Sequence, residues 1–151
     1  MQDDPEYIAW ERQVPSELRA DVIWTLDVYR YALFGSWLAH RDATQLLQSP
    51  LGASLADQLV RAAESTSARL AEGYSRFHVG DRTRYYEYAL GSARETRHHY
   101  ANAIPILGPE SCRARIALHS RVTQMLIRLV SNRRVPRSSR RARPSPPEET
   151  H

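Results

Sequence analysis

Apolar residues recur at intervals of three and four along most of the chain and show no sustained two-residue alternation, which predicts helices rather than strands. A first helix is expected from Pro15-Ser16-Glu17, with Ser16 as its cap and Glu17 at its positive end. Its apolar face is Val22, Leu26, Tyr29, Leu33 and Trp37, and it should end before Ser49-Pro50, since the residue preceding proline avoids helical angles. A second helix follows Leu51-Gly52, with Leu55, Leu59, Ala62, Thr66, Leu70 and Gly73 on one stripe. Asp81 suits the N-cap of a third, in which Tyr85, Ser92, His99 and Ile106 recur every seven residues beside a row of Ala89, Thr96 and Ala103. Pro105 is expected to kink or end this helix, and Pro109 to open the fourth, which carries Ile116, His119, Val122, Leu126 and Leu129 and fades at Ser131-Asn132. Four amphipathic helices with short connections predict an all-α, antiparallel up-down four-helix bundle over residues 15–132.

The flanks read differently. Residues 1–14 form an acidic N-terminal arm, expected to be loose apart from a helical turn around Tyr7–Trp10. Residues 133–151, rich in arginine and proline, lack the apolar content to build a core and predict a disordered tail. Charge is segregated along the chain: residues 1–27 carry −5, residues 28–132 carry +5, and residues 133–143 carry +6 from Arg133, Arg134, Arg137, Arg140, Arg141 and Arg143. All 21 basic residues are arginine, whose planar fork suits bidentate phosphate contacts; GC-rich coding would produce the same bias. No apolar run approaches the ~20 residues needed to span a bilayer, and Met1-Gln2-Asp3-Asp4 does not open a secretory leader. With a single cysteine, Cys112, the expectation is a cytoplasmic protein without an internal disulfide.

Candidate chemistry is sparse. His98 and His99 are adjacent, hence about 100° apart on a helix, and are expected as bundle histidines rather than metal ligands. Cys112, near the start of the fourth helix, could have its pKa lowered there but lacks any catalytic company. Glu72 and Glu95 come with no nucleophile, phosphate loop or metal spacing, so neither an enzyme nor a cofactor is expected. Arg82 and Arg84, followed by Tyr85-Tyr86-Glu87-Tyr88, read as an aromatic and basic platform for nucleic acid. Tyr85 and Tyr88 fit the core seam, which turns Tyr86 outward, to a subunit interface or a nucleic acid; Trp24 is assigned to an interface in the same way. Arg61, Ser65 and Glu72 fall on nearly one face of the second helix, while Gly91, Ser92 and Glu95 fall within one turn of the third. They predict inter-helix hydrogen bonds and a partly buried ion pair of Arg61 with Glu95 or Glu72.

The stretch Gln58-Leu59-Val60-Arg61-Ala62-Ala63-Glu64-Ser65, continued by Leu70-Ala71-Glu72-Gly73 and then Ala89-Leu90-Gly91-Ser92-Ala93-Arg94-Glu95, resembles the proteins named for open reading frames inside 23S rRNA intervening sequences. Their pattern is QLxRAAxSIxxNIAEGxxR followed by AxGSxxE, and the resemblance spans roughly residues 22–132. This chain has Thr66, Arg69 and Leu70 where the pattern has isoleucine, asparagine and isoleucine, and Leu47-Gln48-Ser49-Pro50-Leu51 replaces an aromatic-Pro-x-x-Glu turn. The resemblance implies a four-helix bundle, often homopentameric, that binds RNA or DNA, and a related branch assists the reverse transcriptase of diversity-generating retroelements. Taken with the arginine tail, it predicts an oligomeric nucleic-acid-binding protein; the alternative is a protein-interaction scaffold whose tail serves solubility.

Overall fold

The computed structural model describes residues 4–134 of the chain. Among them are six α-helices and no strand: α1 (Pro5–Gln13), α2 (Ser16–Arg19), α3 (Asp27–Leu46), α4 (Ala53–Tyr74), α5 (Val79–Leu107) and α6 (Pro109–Arg134), with a 3-10 turn at Val22–Thr25. The four long helices pack each on the next, and α3 also meets α6. Their shared interior divides into two apolar clusters. One joins Val28–Leu38 of α3, Leu70 of α4, Tyr86, Ala89 and Ala93 of α5 and Leu118–Val130 of α6. The other joins Ala39–Leu46, Ala56–Ala63, Tyr100–Leu107 and Cys112. The α4–α5 turn and the last turns of α6 therefore flank the same cluster.

From Asp4 onward the acidic arm is not loose, and the turn expected around Tyr7–Trp10 is part of a longer helix, α1. Pro5 sits in the first turn of α1, where its missing N–H costs nothing, and the Asp4 carboxylate accepts from the Glu6 amide at 2.9 Å. Tyr7, Trp10 and Val14, spaced three and four apart, are buried on the first cluster. Tyr7 meets Phe34 edge-on at 5.3 Å, and Trp10 stacks on Trp24 at 6.1 Å. Trp24 is thus core rather than interface. The acids that suggest a solvated arm occupy the outer face of α1, and Glu6 reaches Arg115 at 3.5 Å and also pairs with Arg41.

The long helix expected from Ser16 starts instead at Asp27. Asp21 captures the Ile23 amide at 3.0 Å, Leu26 is extended (φ −85°, ψ 107°), and Val22, expected on the core face, is exposed. Ser16 caps nothing, its hydroxyl donating to the Glu17 carboxylate. The stripe of α4 is buried as expected at Leu59, Ala62, Thr66, Leu70 and Gly73. In α5 the row Ala89, Thr96 and Ala103 is buried, but its heptad companions are Tyr86, Ala93, Tyr100 and Leu107, one residue further on than Tyr85, Ser92, His99 and Ile106. Of that expected row only His99 is buried. Tyr86 is therefore core and Tyr88 exposed, the reverse of the expectation.

His78, not Asp81, is the N-cap of α5. Pro105 does not end the helix: it lies on the exposed side, where the Ala101 carbonyl that it leaves without a donor is open to solvent, and α5 runs on to Leu107. The break comes at Gly108, whose φ of +84° only glycine adopts without strain. Pro109 then opens α6, which continues past Ser131-Asn132 to Arg134.

Candidate nucleic-acid interface

The family-like motif residues fall on the outer seam of α4 and α5. Ser92 donates to Ser65 at 3.0 Å, an inter-helix hydrogen bond of the kind expected. Gly73 marks a close approach, since a Cβ there would lie 2.9 Å from Tyr85 Cβ and from the Tyr86 ring. Gly91 is different: a Cβ there would meet nothing within 4 Å. The expected Arg61–Glu95 or Arg61–Glu72 ion pair does not form. Arg61 is exposed and lies 3.6 Å from Asp57, Glu72 accepts from Arg69 at 2.8 Å, and Glu95 lies 3.5 Å from His99 Nε2. Arg61 and Glu95 instead line, with Gln58, Ala62 and Ser65, an open polar recess of about 430 Å3.

The charged interior lies elsewhere. Asp42 of α3 accepts from Tyr100 Oη at 2.8 Å and from Arg115 Nε at 2.9 Å. Burial works against the Arg115 charge, but the hydrogen bond and charge of Asp42 outweigh it and raise the guanidinium's pKa. Burial, then Asp42, pushes the Tyr100 phenol up. His119 is completely buried, its ring tilted against Tyr100 at 5.8 Å and so close to Gly35 that a Cβ there would meet Cε1 at 2.7 Å. Neither ring nitrogen has a hydrogen-bond partner. Burial, followed by the charges of Arg115 and Arg97, lowers its pKa to about 4, with Asp42 opposing, so His119 is neutral near pH 7. Cys112 is buried and its pKa is raised by that burial, against the lowering that a helix start could bring. These groups tie α3, α5 and α6 together, and of them Arg115 also borders an open recess with Glu6, Phe34 and Arg121.

Among the described residues no three metal-ligating side chains converge, and no helix is long and apolar enough to cross a membrane. What remains outward is arginine. Helix α6 carries six arginines and one acid, Glu110. Arg115 is committed to Asp42 and Glu6, but Arg113, Arg121 and Arg128 are exposed and form no ion pair among the described residues. Arg121 lies over the Tyr31 ring at 5.1 Å, and Arg128 borders a recess with Leu26, Val28 and Leu129. At 1.5 Å rise per residue, Arg113 and Arg128 stand about 22 Å apart along the helix. This row is absent from the sequence expectation. Its signal was a helix with one acid, hidden because the +6 tail dominated the charge.

Of the expected tail arginines, Arg133 and Arg134 close α6, while Arg137, Arg140, Arg141 and Arg143 lie outside the described residues. Arg84 is exposed at the start of α5. Arg82 is partly turned inward, donating through Nε and Nη2 to the Arg76 carbonyl at 3.0 and 2.6 Å. The tyrosine platform does not form as expected, because Tyr86 is buried and Tyr85 holds Arg76 through a 2.8 Å hydrogen bond. No curated protein and no solved structure matches the chain significantly. The family model for the 23S rRNA-intervening sequence protein matches residues 26–128, from the end of the 3-10 turn deep into α6, and the chain belongs to that family.

Proposed function

We propose that this protein is a non-catalytic, cytoplasmic, oligomeric RNA-binding bundle that reads phosphates through the outer face of α6 and the arginine segment continuing from it. The observation that carries the reading is the unopposed row Arg113, Arg121 and Arg128 running toward Arg133–Arg143. Such a track recognises backbone charge and carries little sequence information. The family's name refers to rRNA, which favours structured RNA as the partner, held alone or on behalf of a nucleic-acid enzyme such as a reverse transcriptase. In this reading α3 to α6 form the antiparallel up-down four-helix bundle. Gly35 against His119 and Asp42 against Arg115 across α3 and α6, and Ser65 against Ser92 and Gly73 against Tyr85 across α4 and α5, support it, since within each helix pair one number rises as the other falls. Assembly into a homopentamer would collect five arginine tails on one particle and multiply their avidity.

A second reading, a protein-interaction scaffold, is favoured by an open recess of about 410 Å3 lined by Trp10, Val14, Leu18, Leu33 and Trp37. A mobility-shift titration of an RNA hairpin at ~50 and ~200 mM salt separates the two. The RNA-binding reading expects retardation at the lower salt and a loss of roughly a thousandfold or more in affinity at the higher, as for six or more phosphate contacts. No retardation at the lower salt refutes it. Light scattering tests the assembly: a particle at the 17.3 kDa chain mass refutes the pentamer.

A further inference from the structure

Phe77 stands at the tip of the α4–α5 turn with 97% of its surface in water, the most exposed of the exposed large apolar side chains among the described residues. The turn that presents it is fastened on both sides. Before it, the Arg76 guanidinium lies 4.6 Å from the Tyr85 ring centroid and donates to Tyr85 Oη at 2.8 Å. After it, Arg82 reaches back from α5 to the Arg76 carbonyl with two hydrogen bonds. Tyr85 is itself edge-on to Tyr88 at 5.9 Å, and Gly73 lets α4 close directly on Tyr85 and Tyr86. An aromatic ring is thus held out on a turn pinned by its neighbours, where the entropy of ordering is already spent.

The charge around it is basic. Residues 76–84 hold Arg76, Arg82 and Arg84 against Asp81. The turn also shares the first apolar cluster with Val130 of α6, through Tyr86, so it lies at the end of the molecule where Arg133 and Arg134 close that helix. We propose that Phe77 stacks on an unpaired base of the bound RNA, while Arg76 and Arg84 hold the flanking phosphates. This rests on the RNA-binding reading and narrows it. A ring flanked by guanidinium groups fits a base in a single strand, loop or bulge, whereas a paired helix offers it no open face.

The full chain and Phe77→Ala are titrated with a single-stranded RNA 10-mer containing 2-aminopurine and with a blunt RNA duplex. The substitution is expected to weaken single-strand binding roughly tenfold and to abolish quenching of the 2-aminopurine, leaving duplex binding unchanged. Phe77→Tyr should restore both. Equal single-strand affinity and quenching in Phe77→Ala overturns the stacking role while the RNA-binding reading stands. If the unsubstituted chain binds neither probe, the RNA-binding reading falls and the stacking role with it. A drop in particle mass in Phe77→Ala by light scattering makes the turn a contact between copies and overturns the proposal.

Discussion

Acid should weaken this fold through His119 before its carboxylates protonate. In the folded protein His119 stays neutral until about pH 4, because burial and the nearby Arg115 and Arg97 charges oppose a second ring proton and no acceptor stands ready for it. In the unfolded chain the imidazole takes that proton near 6.5. The unfolded state therefore binds the extra proton between pH 6.5 and about 4, and stability present above 6.5 is lost as pH falls through that window. At 1.36 kcal/mol per pH unit, the loss between pH 7 and pH 5 is about 2 kcal/mol. With a urea slope of about 1–3 kcal/mol per molar, this moves the unfolding midpoint down by roughly 1 M. The assay is urea unfolding followed by tryptophan fluorescence at both pH values, for the full chain and for His119→Leu. The variant removes this titration, so the difference between the two acid losses isolates His119 from every other group. An identical midpoint shift in both proteins refutes the reasoning.

Four further outcomes are expected. Gly73→Ala should cost about 1–3 kcal/mol, since its Cβ would press on Tyr85 and the buried Tyr86, whereas Gly91→Ala, which meets open space, should gain up to about 1 kcal/mol; thermal melts compare them. Asp42→Ala should cost about 3 kcal/mol in urea unfolding by leaving Arg115 and the Tyr100 hydroxyl without their shared acceptor. Trp10→Ala should cost about 3–5 kcal/mol, while a loose arm would register almost nothing. Arg113→Gln, Arg121→Gln and Arg128→Gln should each reduce the salt slope of RNA binding by about 0.7–0.9, with no change in the melting of the helical fold.

The sequence was most informative where one kind of residue dominated a stripe. Helix α4 is legible because Leu59, Ala62, Thr66, Leu70 and Gly73 repeat at intervals of three and four while its charged residues Asp57, Arg61, Glu64, Arg69 and Glu72 all stay off that stripe and are exposed. In α5 the small row could be read, but three tyrosines in four positions gave periodicity nothing to choose between, and the assignment slipped by one residue, about 100° around the helix. The N-terminal helix was hidden by its own charge: seven acids in 27 residues suggested solvation, although Tyr7, Trp10 and Val14 already carried helical spacing. The Asp42–Arg115 pair joins residues 73 apart and has no local signature. On the candidate interface, the tail and Arg84 could be read from charge alone. Phe77 could not, because its exposure depends on where α4 stops and α5 starts.

The contact between Glu6 and Arg115 also orders events during synthesis. Helix α1 can lean on Trp24 and Phe34 as soon as the first forty residues are out, so an aromatic hairpin is available early. Arg115 follows Glu6 by 109 residues, an interval of roughly 5–20 seconds at ordinary elongation rates. A nascent chain stalled before α6 would therefore hold Glu6 with Arg41 alone, its second partner and the Leu118–Val130 face of the core still unmade.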